Sequence, residues 1–228
     1  MYYYYDATYI LVIAAFFLTL FASFGVNSTF KKYNEVYSSR GITAADAARK
    51  ILDANGLYNI RIEHVSGNLT DHFSPKEGVV RLSDATYNSS SVASIGVAAH
   101  ECGHAIQHQT GYVPIKIRNG IVPIVNVSNA LSMPLFILGL ILSIGPLAMA
   151  GALLFGMVLV FQLVTLPTET NASRRAMKTL DEMAILEGDE LIGARKTLTA
   201  AAMTYVAAVA STALQFLRLV MLANRRRR

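Results

Sequence analysis

Residues 119–168 read NGIVPIVNVSNALSMPLFILGLILSIGPLAMAGALLFGMVLVFQLVTLPT, fifty consecutive residues without a charge and rich in Leu, Ile and Val. About 20 such residues already span a bilayer as a helix, so the run is too long for one crossing. Gly145-Pro146 divides it into Leu131 to Ile144 and Leu147 to Leu166. A proline after a glycine breaks a helix, and the pattern predicts a helical hairpin whose ends return to the same side.

Toward the N-terminus, Ala7 to Phe30 is a second uncharged stretch, almost purely apolar from Ile10 to Val26. An acidic residue and Tyr2 to Tyr5 precede it instead of a basic segment, which suits a retained span with an aromatic interface and not a cleaved signal. Toward the C-terminus, Leu198 to Leu217 is rich in Ala and Thr, carries Gln215 and leads into Arg218. It either spans or lies along the interface. The expected fold is therefore an α-helical membrane protein with three to four hydrophobic helices.

Composition agrees. The chain has 228 residues and a mass of 24.8 kDa, and 53% of it is hydrophobic. Its charged fraction is 15%, against about 25% in soluble domains. Disordered, collagenous and disulfide-rich classes are excluded, and the single cysteine, Cys102, allows no intrachain disulfide. Net charge is +5, but Arg225 to Arg228 supply four of the positives, so nucleic acid is not an expected partner and the lipid bilayer is. Lys31, Lys32 and Arg40, then Lys116 and Arg118, then Arg174, Arg175 and Lys178 flank the first span and the hairpin on one side, which the positive-inside rule makes the cytoplasm. A spanning last segment would put Arg225 to Arg228 outside, against that rule, so both topologies stay open.

All five histidines fall in a polar region of about 90 residues, Lys31 to Arg118. It opens with a helix capped by Thr43, with Asp46 three residues on, Ala47, Ile51 and Leu52 inside and Gly56 as the stop. A strand around Ile60 to Ile62, a turn at Ser66-Gly67-Asn68 and a second extended piece at Val79 to Ser83 follow. A helix then runs from about Ser91 to Gln109 and stops at Gly111. These signals imply a small α+β domain and the organisation 1–30 (first span), 31–118 (polar domain), 119–167 (hairpin) and 168–228 (C-terminal helices).

On the last of those helices stands His100-Glu101-Cys102-Gly103-His104, the HExxH pattern. Four residues advance a helix by 400°, so the two imidazoles share one face about 6 Å apart along the axis and can bind one Zn²⁺. Glu101 is turned 100° away, beside the metal, where it can act as general base. With 5 His and 8 Glu, random placement produces the pattern in about 0.4% of such chains.

A catalytic zinc takes three protein ligands and keeps one position open. His108 stands about 12 Å along the helix from His100, too far to share an ion. His72, on the segment connecting the strands, is a candidate as ligand or as donor to the oxyanion formed when water attacks a carbonyl. Glu169, the best candidate, is the first charge after the hairpin, two residues past Pro167, which suits the start of a helix; a carboxylate there can ligate metal or merely complement a helix N-terminus. Cys102 points about 200° from His100 and reads as core packing. Arg174 and Arg175 suit either an anionic intermediate or lipid headgroups, and Tyr112 and Tyr205 are possible oxyanion donors.

Ser66 to His72, Val97 to Gln109, Phe161 to Glu169 and Ala172 to Arg175 together resemble the small bacterial membrane-bound neutral zinc metallopeptidases of the YugP type. More distantly, the layout is similar to the HtpX and CAAX-prenyl-protease zincins, in which HExxH precedes a membrane hairpin and a Glu opening the next helix is the third zinc ligand. The resemblance implies zinc held by His100, His104 and Glu169, with Glu101 as base, in a bacterial cell membrane with the zincin-like domain facing the cytoplasm. It also implies protein or peptide substrates, and an edge strand, Val79 to Ser83, that pairs with them. Those relatives carry an Asp four residues after the Glu to support a zinc-bound histidine; here that position is Ser173, and Asp71 is the substitute to examine. The rival expectation is a non-catalytic membrane protein with a structural zinc, closed by a fourth ligand such as His72, and a cytoplasmic partner-binding domain. A metal-ion transporter is disfavoured, because no ionisable residue lies within the first span or the hairpin.

Overall fold

The computed structural model describes residues 6–225; the Tyr2 to Tyr5 and Arg226 to Arg228 stretches lie outside the described residues. Its elements run α1 (Tyr9–Asn34), α2 (Ala44–Ala54), β1 (Arg61–Val65), β2 (His72–Ser74), β3 (Val79–Ser83), α3 (Val92–Gln109), α4 (Val113–Ile141), α5 (Gly145–Glu182) and α6 (Gly188–Arg225). Helices α1, α4, α5 and α6 are each long and apolar enough to cross a membrane. The protein is thus a helical membrane protein with a small α+β region, and the segment from Leu198 belongs to the fourth such helix.

The chain forms two compact units, each gathered from several of the intervals marked out in the sequence. One holds residues up to Ser23, Lys116–Leu166 and the chain from Thr204 onward. Its hairpin turns where Gly145-Pro146 predicts, with α4 ending at Ile141 and Pro146 in the first turn of α5. Two glycines let the arms meet: a Cβ on Gly139 would run into the backbone of Ala148, and one on Gly151 into the Ser132 carbonyl and the backbone of Phe136. Close approach through small residues is how helices associate where lipid removes the hydrophobic drive. Thr19 and Ser211 share a hydrogen bond of 3.0 Å between α1 and α6, and Asp6 accepts one of 2.9 Å from Arg225 with Arg218 at 3.9 Å.

The other unit, Phe24–Ile115 with Pro167–Met203, has a conventional core. The apolar faces of α2 (Ala47, Ile51, Leu52) and α3 (Ile95, Ala98, Cys102, Ile106) close on each other, joined by Leu82 of the sheet and Leu180 of α5. The caps are the expected ones: Thr43 Oγ1 accepts from the Asp46 amide (3.1 Å) and Ser91 Oγ from the Ser94 amide (3.1 Å), while Gly111, at φ +63°, follows the end of α3.

Three expectations need correction. Strand order is β1-β3-β2, with β3 parallel to β1 and antiparallel to β2, so Val79–Ser83 is the central strand and not an edge. His72 is not on a connecting segment but opens β2, an edge strand. No helix begins at Pro167; α5 runs through it without interruption from the hairpin turn to Glu182.

Candidate metal centre

Helix α3 carries His100 and His104 one turn apart, their ring centroids 4.7 Å from each other. The two residues between them have separate duties. Cys102 turns into the core, with Sγ 3.6 Å from the Ala48 carbonyl, where burial pushes its thiol pKa up. Gly103 faces α5: a Cβ there would sit 2.7 Å from the Ala172 carbonyl oxygen. Lacking that atom, α3 lies against the backbone of α5 and meets the side chain of Glu169, one turn before Ala172.

Glu169 Oε2 lies 3.3 Å from His100 Nε2 and 3.4 Å from His104 Nε2. A charge-assisted hydrogen bond is shorter, at about 2.7–2.9 Å. Four-coordinate zinc, with bonds of about 2.0–2.1 Å, sets its ligand atoms about 3.3–3.4 Å apart. The carboxylate thus stands from both imidazoles at the edge length of a zinc tetrahedron. All three donor atoms lie within 4.8 Å of one another, and among the described residues no fourth His, Cys, Asp or Glu joins the group. Two imidazoles and one carboxylate are a fitting donor set for this ion.

The surroundings support a cation. Burial opposes charging His104, but the carboxylates of Glu169 and Glu101 near the ring outweigh it, and the imidazole pKa stands above its ordinary value. Glu101 itself is only 8% exposed. The second nitrogen of each ring is held as well: His100 Nδ1 lies 3.0 Å from Ser173 Oγ, and His104 Nδ1 lies 3.0 Å from Gln107 Oε1. Such partners orient a ligating imidazole.

Other residues fall elsewhere. His72 directs Nδ1 to the Thr70 carbonyl (2.8 Å) and is not in the three-donor group. Asp71 accepts from the Ser83 amide (2.8 Å) and hydroxyl (2.9 Å), which ties down the end of β3 and does not support a histidine. His108 is exposed, its ring edge-on to Phe73. Tyr112 lies under the Arg175 guanidinium, 6.0 Å from it, and Arg175 Nε donates to Asn171 Oδ1 at 2.9 Å. Tyr205 belongs to the other unit. Gln107 was not anticipated from sequence, although a polar residue three places after His104 on a helix is within reach of that ring.

A family described as "putative neutral zinc metallopeptidase" matches residues 8–224. The "putative membrane protease YugP" of Bacillus subtilis (strain 168) is 44% identical over 212 residues, covering 93% of this chain and 94% of that protein. No solved structure matches. With the match extending over nearly the whole chain, from the start of the first membrane helix to the end of the last, the protein belongs to the family so described.

Proposed function

We propose that the protein is a membrane-anchored zinc metallopeptidase that hydrolyses peptide bonds with Glu101 as general base. The observation that carries this reading is the set of three donors, His100, His104 and the buried Glu169, at zinc spacing, together with Glu101, whose charge acts on His104. Three donors leave one coordination position free, as catalysis requires and a structural zinc does not. A zinc ion held there would polarise the scissile carbonyl and acidify a water. Glu101 takes the proton from the attacking water and delivers it to the nitrogen of the leaving amine, so one proton enters and leaves the carboxylate per cleavage.

The β2 edge takes over the substrate-pairing role expected of β3, since β2 is an edge strand packed beside α3. His72, which opens that strand, is the proposed donor to the developing oxyanion. The basic residues around Lys31, Lys116 and Arg174 support a cytoplasmic site. Asp6, just before α1, pairs with Arg218 and Arg225 of α6.

Metal content and casein hydrolysis of detergent-solubilised protein test the reading. Wild type should hold about one zinc and cleave, and His100→Ala and Glu169→Ala should lose both properties. Glu101→Gln should keep the zinc and lose at least about 10³-fold in kcat. Zinc-loaded Glu101→Gln cleaving at the wild-type rate would remove Glu101 as base, and wild type without zinc would remove the peptidase.

A further inference from the structure

The two histidines of the metal group are held by partners of different kinds. Ser173 offers His100 a hydroxyl, which can donate or accept and so leaves that ring free to take either neutral tautomer. His104 faces Gln107, which is fully buried between α3 and α5. There the hydrogen-bond roles can be followed atom by atom.

Arg175 Nε can only donate, so the Asn171 atom 2.9 Å from it is the amide oxygen. That oxygen lies 3.0 Å from one end of the Gln107 amide, and the same end lies 2.7 Å from the backbone carbonyl of Thr168. Two acceptors at those distances require a donor between them, so this end of Gln107 is the amino group. Its opposite end, 3.0 Å from His104 Nδ1, is then the carbonyl oxygen and only accepts. His104 Nδ1 must carry a proton, and in the neutral ring Nε2 is left with its lone pair, facing Glu169.

We infer that Gln107 is a positioning residue that fixes the tautomer of His104, freeing Nε2 for the metal, and that Arg175 and Asn171 in turn fix the direction of the Gln107 amide. The inference rests on the metal-binding reading of the group, and it assigns these three residues a part in preparing a ligand before any ion arrives. The hydrogen bonds from Gln107 to Thr168 and Asn171 also join α3 to the turn of α5 that bears Glu169. One buried amide therefore sets the orientation of one ligand and the distance to another. A neutral acceptor achieves this without adding a negative charge to the site, as a supporting carboxylate would.

Two readouts test it: zinc affinity by chelator competition, and the ¹⁵N spectrum of the histidines in metal-free protein at alkaline pH, which reports the tautomer of each neutral ring. Wild type should show His104 as the Nδ1–H form alone. Gln107→Met, close in volume but without an acceptor, should show a tautomer mixture and bind zinc about 10–100-fold more weakly. Should Gln107→Met fail to fold, Asn171→Leu, which removes one of the two acceptors that hold the amide, should still give a mixture.

A single Nδ1–H tautomer with wild-type zinc affinity in Gln107→Met overturns the inference. If Gln107→Met does not fold, an unmixed Nδ1–H form in Asn171→Leu overturns it. Wild type that takes up no zinc would sink the metal reading instead, and the metal-free spectra would still decide the tautomer.

Discussion

The two units of this protein are packed by different means. In the ligand-bearing unit, large apolar side chains such as Ile51, Leu52, Leu82 and Leu180 are withdrawn from solvent and fill a common core. In the membrane unit the buried positions are mostly small, Ala148, Ala152 and Ala223, while Phe16, Phe21 and Leu153 are exposed on the outside of their helices. Burial stabilises the first because water rejects the side chains; in lipid that drive is absent, and backbone proximity takes its place. Glycine serves both units for the same geometric reason, at Gly103 between α3 and α5 and at Gly139 and Gly151 within the hairpin.

Substitutions that add or remove atoms at these contacts should separate the two modes. Gly103→Leu should have the largest effect, because its side chain would have to enter the Ala172 backbone and drive Glu169 away from the histidines; the purified protein should contain no zinc, and a full complement would show that the close approach is dispensable. Leu180→Ala, in the fully buried core, should cost about 2–5 kcal/mol in denaturant titration followed through the ligand-bearing unit. Removing the cap with Thr43→Ala should cost about 1 kcal/mol in the same assay. Ser211→Ala, which deletes the Thr19 hydrogen bond, should cost about 0.6 kcal/mol in detergent-denaturant titration. A Ser211 effect exceeding that of Leu180 would reverse the contrast between the units.

What could be read from sequence follows the same division. The membrane helices announce themselves by length and lack of charge, and the caps of α2 and α3 by Thr43, Ser91 and Gly111, because each signal is local. The central place of β3 is not legible although Val79, Val80, Leu82 and Ser83 are all buried: a strand covered on both faces lacks alternation, and Arg81 interrupts the apolar run that would mark it as central. β2 has only three residues, too few to display an alternation. The continuity of α5 through Pro167 was hidden by a change of surroundings halfway along one helix, apolar up to Leu166 and polar beyond. His100 and His104 are evident from spacing alone, whereas Glu169 leads the third-ligand candidates by its position and needs the resemblance to rise above a helix-terminus charge. Gln107 required the fold, since its partners on α5 are 61 and 64 positions away in the chain.

The separation of the metal donors along the chain also has a consequence for how the protein is made. His100 and Glu169 are 69 residues apart, and the hairpin is synthesised between them. At about 5–20 residues per second, a ribosome needs about 3–14 s to pass from one to the other. During that interval the nascent chain carries the paired histidines and Glu101 but lacks the carboxylate that completes the group. Since Glu169 follows the whole uncharged stretch, the donors are complete only in a chain whose hairpin has already been synthesised and is available to the bilayer. Order of synthesis thus acts as a timer, withholding the finished centre from a polypeptide that has not yet produced its hairpin.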